Sequence, residues 1–281
     1  MPLTMNKLPD NSLQKTPEGK ITGSPLRGQH AVVTGATRGI GASIAETFGR
    51  LGADLTLIGR DRNGLTKRAN DISNATSVSV HIEPADITDM NDVGRAFATI
   101  LAANGPISIL VNNAGLGKSA PFHRMGQDLW NNMISVNLNG TFYCTREVIG
   151  GMLEAGYGRI INLASTAGLV GYEYVSAYCA AKHGVIGLTR SLALETATRG
   201  ITVNAVCPGY TETDLLHETI DNIVTKTGRS IEETRMELAA SNPQKRLVQP
   251  WEVAETVAWL ALPSSASITG QAISVAGGEV M

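Results

Sequence analysis

From residue 26 onward, short apolar runs alternate with stretches in which apolar positions recur every three or four residues. The runs at 31–34, 54–58, 78–83, 107–112, 158–163, 201–206 and 272–275 are rich in Val, Ile and Leu and bounded by turn residues, so they read as strands. Helical periods fall at 42–51, 63–73, 89–104, 127–155, 176–199 and 250–260, with two more helices inside 213–240. Strands separated by helices predict βαβ units and a parallel sheet. The strands are almost continuously apolar, as expected where helices cover both sheet faces. The expected fold is therefore α/β: a single doubly wound domain with a parallel seven-stranded sheet and helices on both faces.

Residues 1–26 break this pattern. They are polar, carry Pro, Gly, Asn, Ser and Thr, and lack the apolar core of a secretory signal. The reading is a flexible N-terminal tail or partner arm, followed by one domain over 27–281.

Composition narrows the function classes. The 281 residues include 23 basic and 25 acidic side chains, a formal net charge of −2, which argues against a nucleic-acid partner. Apolar residues make up 43% and charged residues 17%, too apolar for a disordered chain. No apolar run approaches the ~20 residues of a membrane span, so no membrane partner is expected. Cys144, Cys179 and Cys207 show no CxxC spacing and fit a reducing compartment, hence a cytoplasmic location. The five histidines, His30, His81, His123, His183 and His217, show no metal-like pairing, so no metal is expected.

The first strand runs into Thr34-Gly35-Ala36-Thr37-Arg38-Gly39-Ile40-Gly41. Glycines between a strand and a helix let backbone N–H groups approach a pyrophosphate, and the helix N-terminus favours the anion. Gly35, Thr37, Arg38, Gly39, Ile40 and Gly41 are thus candidates for a dinucleotide cradle. An NAD site usually places a carboxylate at the end of the second strand. Here that strand ends in Gly59-Arg60, with Asp61 next. Arg38 and Arg60 together would favour a ribose 2′-phosphate, so NADP(H) is the expected cofactor. NAD(H) stays open if Asp61 takes the ribose hydroxyls instead.

Tyr178 and Lys182 stand four apart on an expected helix, which puts them on one face. A nearby ammonium would lower the tyrosine pKa towards the working range of an acid–base catalyst. Ser165 follows the fifth strand, at the strand end where open α/β sheets bind ligands. Its hydroxyl there could steady a carbonyl oxygen as that oxygen gains negative charge. Asn137 lies within an expected helix, where asparagine is an indifferent former and invites a reason.

The glycine pattern TGxxxGxG, with Asn137, Ser165, Tyr178 and Lys182 in this order, resembles the short-chain dehydrogenase/reductase family in its form of about 250 residues. The resemblance runs from about residue 26 to 281 and implies a Rossmann-type fold. It also implies a role for each residue. Tyr178 would be the general acid or base, Ser165 would orient the carbonyl, and Lys182 would lower the Tyr178 pKa and bind the nicotinamide ribose. Asn137 would help hold a water in a proton relay. Asn113, Ala114 and Gly115, in the segment Asn112-Asn113-Ala114-Gly115, would border the adenosine end. Asp86, followed by Ile87, would lie near the adenine. Pro208, Gly209, Thr211 and Thr213, in the segment after the sixth strand, would hold the carboxamide and pyrophosphate. The family commonly forms homotetramers through the helices carrying Asn137 and Tyr178.

The implied activity is hydride transfer between NADP(H) and a small-molecule ketone or secondary alcohol. A non-catalytic dinucleotide-binding regulatory or scaffold protein is the alternative. Sequence resemblance is strongest to 3-oxoacyl-thioester reductases and 3-hydroxyacyl dehydrogenases. Relatives that meet an acyl carrier protein use basic residues where this chain has Tyr143 and Leu194. Coenzyme A thioesters or a small free ketone are therefore favoured over carrier-bound substrates, although Arg146 and Arg190 lie nearby. Residues 212–246 would form the substrate cover, with Lys226, Arg229, Arg235, Lys245 and Arg246 either receiving coenzyme A phosphates or lying solvated. Leu169, Tyr172, Tyr174 and Tyr210 are expected pocket walls.

Overall fold

In this computed structural model, residues 14–15 and 21–281 are described. Two short strands, β1 (Gln14–Lys15) and β2 (Ile21–Thr22), pair antiparallel. Residues 1–13 and 16–20, most of the expected tail, lie outside the described residues. Leu26, at its end, is fully buried in the core.

Seven strands form the main sheet: β3 (His30–Thr34), β4 (Asp54–Gly59), β5 (Val80–Pro84), β6 (Ile109–Asn112), β7 (Gly158–Leu163), β8 (Ile201–Pro208) and β9 (Ala272–Val275). All pair in parallel in the order β5-β4-β3-β6-β7-β8-β9. Chain direction across the sheet therefore reverses between β3 and β6, the position where open α/β sheets form a crevice at the strand C-termini.

Side-chain alternation assigns the two faces. Ala31 and Val33 join Ile109, Val111 and Ile161 beneath α1 (Gly39–Arg50), α2 (Arg62–Ala75) and α9 (Pro250–Ala261). Val32 turns the other way, with Leu110, Ile160 and Val203, against α3 (Met90–Asn104) and α5 (Gly140–Ala155). Phe48 of α1 and Phe97 of α3, each essentially inaccessible to solvent, anchor the two layers. Burying a side chain of this size contributes about 2–3 kcal/mol. α6 (Ser176–Thr196) packs Val185 and Ile186 on Ala205 and Cys207 of β8. α7 (Asp214–Thr227) and α8 (Ile231–Ala240) build a separate apolar cluster around Leu216, Ile220 and Leu247.

One expected helix differs. The period over 127–155 predicts a single helix, but α4 (Gln127–Ile134) passes into a π-helical turn, Ser135–Asn139, before α5 begins. The Asn137 carboxamide donates to Met133 O at 3.0 Å and so competes for a helix carbonyl from within the turn. Thr141 Oγ1 in turn donates to Asn137 O at 3.3 Å. Such single π turns frequently mark functional positions, because they re-aim one side chain without ending the helix.

Candidate active site

The crevice begins where β3 ends. Gly35 has φ +66°, a left-handed conformation that a side chain would strain. The turn is also too tight for side chains: a Cβ on Gly41 would lie 2.2 Å from Gly35 O. Asn113 holds this turn from β6, its Nδ2 donating to Thr34 O at 2.9 Å and Gly35 O at 3.1 Å. The backbone N–H groups of Asn113 and Ala114 both donate to Thr34 Oγ1 at 3.0 Å. Ile40 packs against the core, while Thr37 sits beside Gly59 and Gly64.

Arg38 occupies the N-cap position of α1, and no side chain caps that end. Thr213 caps α7 through Leu216 N at 3.3 Å. A Cβ on Gly39 would be 3.2 Å from Thr213 Cγ2, so the N-termini of α1 and α7 converge. Two helix N-termini over a glycine turn suit a doubly charged pyrophosphate.

The two arginines differ in surroundings. Arg60 is exposed at the end of β4. Arg38 reaches α7, 3.2 Å from Glu218 and 3.8 Å from Asp214. Asp61 is engaged as the N-cap of α2, accepting from Asn63 N at 3.1 Å. Asp86 accepts from Thr88 N at 3.0 Å and Thr88 Oγ1 at 2.8 Å, which fixes the turn after β5. Ile87 is buried next to Gly140.

Ser165, Tyr178, Lys182 and Asn137 come together at the C-terminal ends of β6 and β7. The Ser165 hydroxyl accepts from Ala167 N at 3.1 Å and lies close enough to Tyr178 to favour its phenolate. Lys182 is buried and donates to Leu163 O at 2.7 Å, with Nζ 5.6 Å from the centre of the Tyr178 ring. Gly115 lies between: a Cβ there would be 2.9 Å from Asn137 Oδ1 and 3.6 Å from Lys182 Nζ. Asn137 Nδ2 also donates to Leu116 O at 2.9 Å, and Leu116 N donates to Asn137 Oδ1 at 3.2 Å. Both carboxamide hydrogens are thus committed to holding the β6 loop and the π turn.

Electrostatics here differ from the sequence expectation. Burial pushes the Tyr178 phenol up to about 12, against the opposing effect of the nearby Ser165 hydroxyl. Burial takes Lys182 down to about 8. On raising the pH, the ammonium loses its proton before the phenol does, so it is Ser165 that favours the phenolate in this state. At neutral pH the arrangement is a protonated tyrosine beside an ammonium, suited to donating a proton.

Several neighbours escaped the sequence reading. Asn112 Nδ2 donates to Asn162 Oδ1 and Thr145 Oγ1, both at 2.9 Å, and Asn162 Nδ2 donates to Thr189 Oγ1 at 2.9 Å. This buried chain ties β6, β7, α5 and α6 together beneath the site. Asn112 was visible only as part of a cofactor segment, and nothing in the spacing of Asn162 pointed to it. At the loop after β8, Gly209 N donates to Val275 O at 3.1 Å and Thr211 Oγ1 to Gly209 O at 2.9 Å. Glu279 accepts from Tyr172 Oη at 2.8 Å and lies close to Gly209.

The cover cations are largely engaged: Arg235 pairs with Glu212, Arg229 with Glu237, and Arg246 with Glu252 at 2.6 Å. Lys245 donates to Ala240 O at 2.8 Å, and the Lys226 side chain lies outside the described residues. Among the described residues no group of three or more His, Cys, Asp or Glu could hold a metal ion, and no helix is long and apolar enough to cross a membrane.

Comparison with known proteins gives a consistent picture. The family model described as short chain dehydrogenase matches residues 29–223. A D-beta-hydroxybutyrate dehydrogenase of Rhizobium meliloti is 37% identical over 88% of this chain and 97% of its own. The 3-oxoacyl-[acyl-carrier-protein] reductase FabG of Vibrio harveyi is 37% identical over 91% of this chain and 99% of its own. The crystal structure of a single-substitution variant of actinorhodin polyketide ketoreductase with NADPH superposes with TM-score 0.86 at 39% identity, covering 89% of this chain and 97% of that one.

Proposed function

The chain belongs to the short-chain dehydrogenase family and is an oxidoreductase of it, and on that premise we propose that it is an NADPH-dependent reductase of 3-oxoacyl thioesters or related neutral ketones. Coenzyme A carriers are favoured over acyl carrier protein, because Tyr143 and Leu194 stand where carrier-dependent relatives have basic residues. The observation that carries this reading is the gathering of Ser165, Tyr178 and the buried Lys182, with Asn137 behind Gly115, at the strand ends that border the glycine cradle.

The residues present suit a dinucleotide: glycines at 35, 39 and 41 keep side chains off the turn, and the N-termini of α1 and α7 meet beside it. Gly35, Thr37, Gly39, Ile40, Gly41 and Thr213 would hold the pyrophosphate. Asp86, Ile87, Asn113, Ala114 and Gly115 would line the adenosine side, and Pro208, Gly209 and Thr211 the carboxamide side. Arg38 and Arg60 would meet the 2′-phosphate. Bound NADPH supplies the hydride.

The chain's own residues do the rest. The Ser165 hydroxyl orients the substrate carbonyl and donates to its oxygen as negative charge grows there. Tyr178 Oη then delivers its proton to that oxygen, a step suited to a phenol that stays protonated at neutral pH. The Lys182 ammonium, held by Leu163 O, stabilises the phenolate left behind and reaches towards the ribose. Asn137 keeps the β6 loop and the π turn in register so that Gly115 leaves the floor of the site open.

Loss of NADPH absorbance with a panel of 3-oxoacyl thioesters, 3-oxo esters and simple ketones tests the proposal. Turnover is expected with at least the 3-oxo compounds. NADPH that binds but is oxidised by none of them would overturn the reductase reading. Arg60→Ala is expected to raise the KM for NADPH by about tenfold or more, the scale of one charge-assisted hydrogen bond. The KM for NADH should stay nearly constant. Equal effects on both would remove Arg60 from 2′-phosphate recognition, since NADH has no such group.

A further inference from the structure

Glu279 stands on the last loop, after the Gly277–Gly278 pair, and the proposed chemistry does not use it. Its position is nevertheless part of the site. Oε1 accepts from Tyr172 Oη at 2.8 Å, and Tyr172 belongs to the loop between β7 and α6 that also carries Ser165. Oε2 would lie 2.9 Å from a Cβ on Gly209, in the loop between β8 and α7. The Tyr172 hydroxyl also lies near Thr166, the residue after Ser165. Tyr210, the residue after Gly209, lies close enough to feel both the Glu279 charge and the Tyr178 hydroxyl. The carboxylate therefore stands between the loop after β7, which carries Ser165, and the loop after β8, which carries Tyr210.

This charge is uncompensated. Among the described residues, no Lys or Arg side chain pairs with Glu279, whereas Glu212, Glu252 and Glu255 each have an arginine partner. Its one side-chain hydrogen bond comes from a neutral phenol, and the second oxygen faces a glycine backbone. Burial and the Glu279 carboxylate together push the Tyr172 phenol up, so that phenol stays neutral and cannot add to or relieve the charge. A second anion placed beside this half-buried carboxylate would be repelled by it. A neutral ester or thioester with the same 3-oxo carbonyl would not.

We propose that Glu279 is a specificity-determining residue that excludes substrates with a carboxylate beside the reacting carbonyl, restricting the pocket to 3-oxo compounds whose acyl portion is neutral or donor-bearing. The proposal rests on the reductase reading above and sharpens its substrate class. It also separates this chain from relatives named for a free hydroxy acid, such as the D-beta-hydroxybutyrate dehydrogenase. Discrimination of this kind works by repulsion of the wrong substrate, with no new contact to the right one needed.

The test compares ethyl acetoacetate, acetoacetyl-N-acetylcysteamine and acetoacetate, which share one reacting carbonyl and differ in charge. In the wild type, kcat/KM for either neutral compound should exceed that for acetoacetate by about 100-fold. Glu279→Gln keeps the acceptor for Tyr172 and removes the charge, so the neutral-to-acid ratio should fall by about tenfold or more. Tyr172→Phe removes the same hydrogen bond but keeps the charge, so the ratio should stay high. A wild-type ratio near one, or a ratio that Glu279→Gln leaves in place, overturns the proposal. So does an equal fall in Tyr172→Phe, which would assign the effect to packing. Failure to reduce any of the three compounds would instead strike at the reductase reading, and this inference would go with it.

Discussion

Tyr178→Phe is expected to lower kcat for a neutral 3-oxo ester by roughly 1,000-fold or more, with the KM for NADPH changed by less than about threefold; the first figure is the scale of a positioned general acid. The substitution deletes one oxygen and keeps the ring, so the packing of α6 against β8 is preserved. What is lost is the proton donor beside Ser165. The Tyr178 phenol, pushed up to about 12, keeps its proton at neutral pH until the carbonyl oxygen takes it, and phenylalanine has none to give. The buried Lys182 ammonium is directed to Leu163 O. Steady-state rates from the loss of NADPH absorbance, with NADPH binding measured by its fluorescence, check both halves. A variant retaining more than about a tenth of the wild-type rate would remove Tyr178 from the proton-transfer role.

The route to Tyr178 shows what a sequence can carry. β3 is apolar without a break because Ala31 and Val33 face one helical layer and Val32 the other, so both the strand and its burial on two sides are visible in the pattern. The glycine turn is legible for a partly local reason: the tightest Cβ clash at Gly41 is with Gly35 O in the same turn, and the next is with Asn113 Nδ2. Tyr178 and Lys182 are legible because helical spacing alone places them together.

Features set by distant partners were not readable. The π turn at Ser135–Asn139 depends on Asn137 finding Leu116 O, on a loop 21 positions earlier. The Asn112–Asn162 hydrogen bond spans 50 positions, and the Tyr172–Glu279 bond spans 107. The same limit applies to charge. Arg38 reads as a free cation in the glycine turn, yet it pairs with Asp214 and Glu218, which reach it only because α7 starts at Thr213 beside Gly39. Cofactor phosphate would therefore compete with two exposed carboxylates for Arg38, whereas Arg60 carries no such pair among the described residues.

Lys182→Met is expected to abolish turnover while making the cofactor-free protein more stable, by about 2 kcal/mol at pH 7. The argument starts from burial. Lys182 lies in the interior with no carboxylate partner, and folding takes its pKa from 10.5 down to about 8. Carrying the ammonium into that site costs about 3 kcal/mol. Its hydrogen bond to Leu163 O returns about 1 kcal/mol, which the variant gives up. Met has similar length and no charge, so it fills the same space. The sign with pH follows from proton counting. Below about pH 8 both folded and unfolded wild type hold the proton, and the cost is present in full. Between about 8 and 10.5 the unfolded chain holds more protons than the folded one, so wild-type stability rises with pH and its deficit against the variant closes. Urea unfolding of both proteins at pH 7 and pH 10 should show a variant advantage at the first and little at the second. An unchanged difference across that range would mean that Lys182 titrates in the folded protein as it does unfolded, that is, as a solvated ammonium. The lysine's position is then intelligible only through function: a group that weakens the empty fold is held beside Tyr178 because its charge is used there when the phenol gives up its proton.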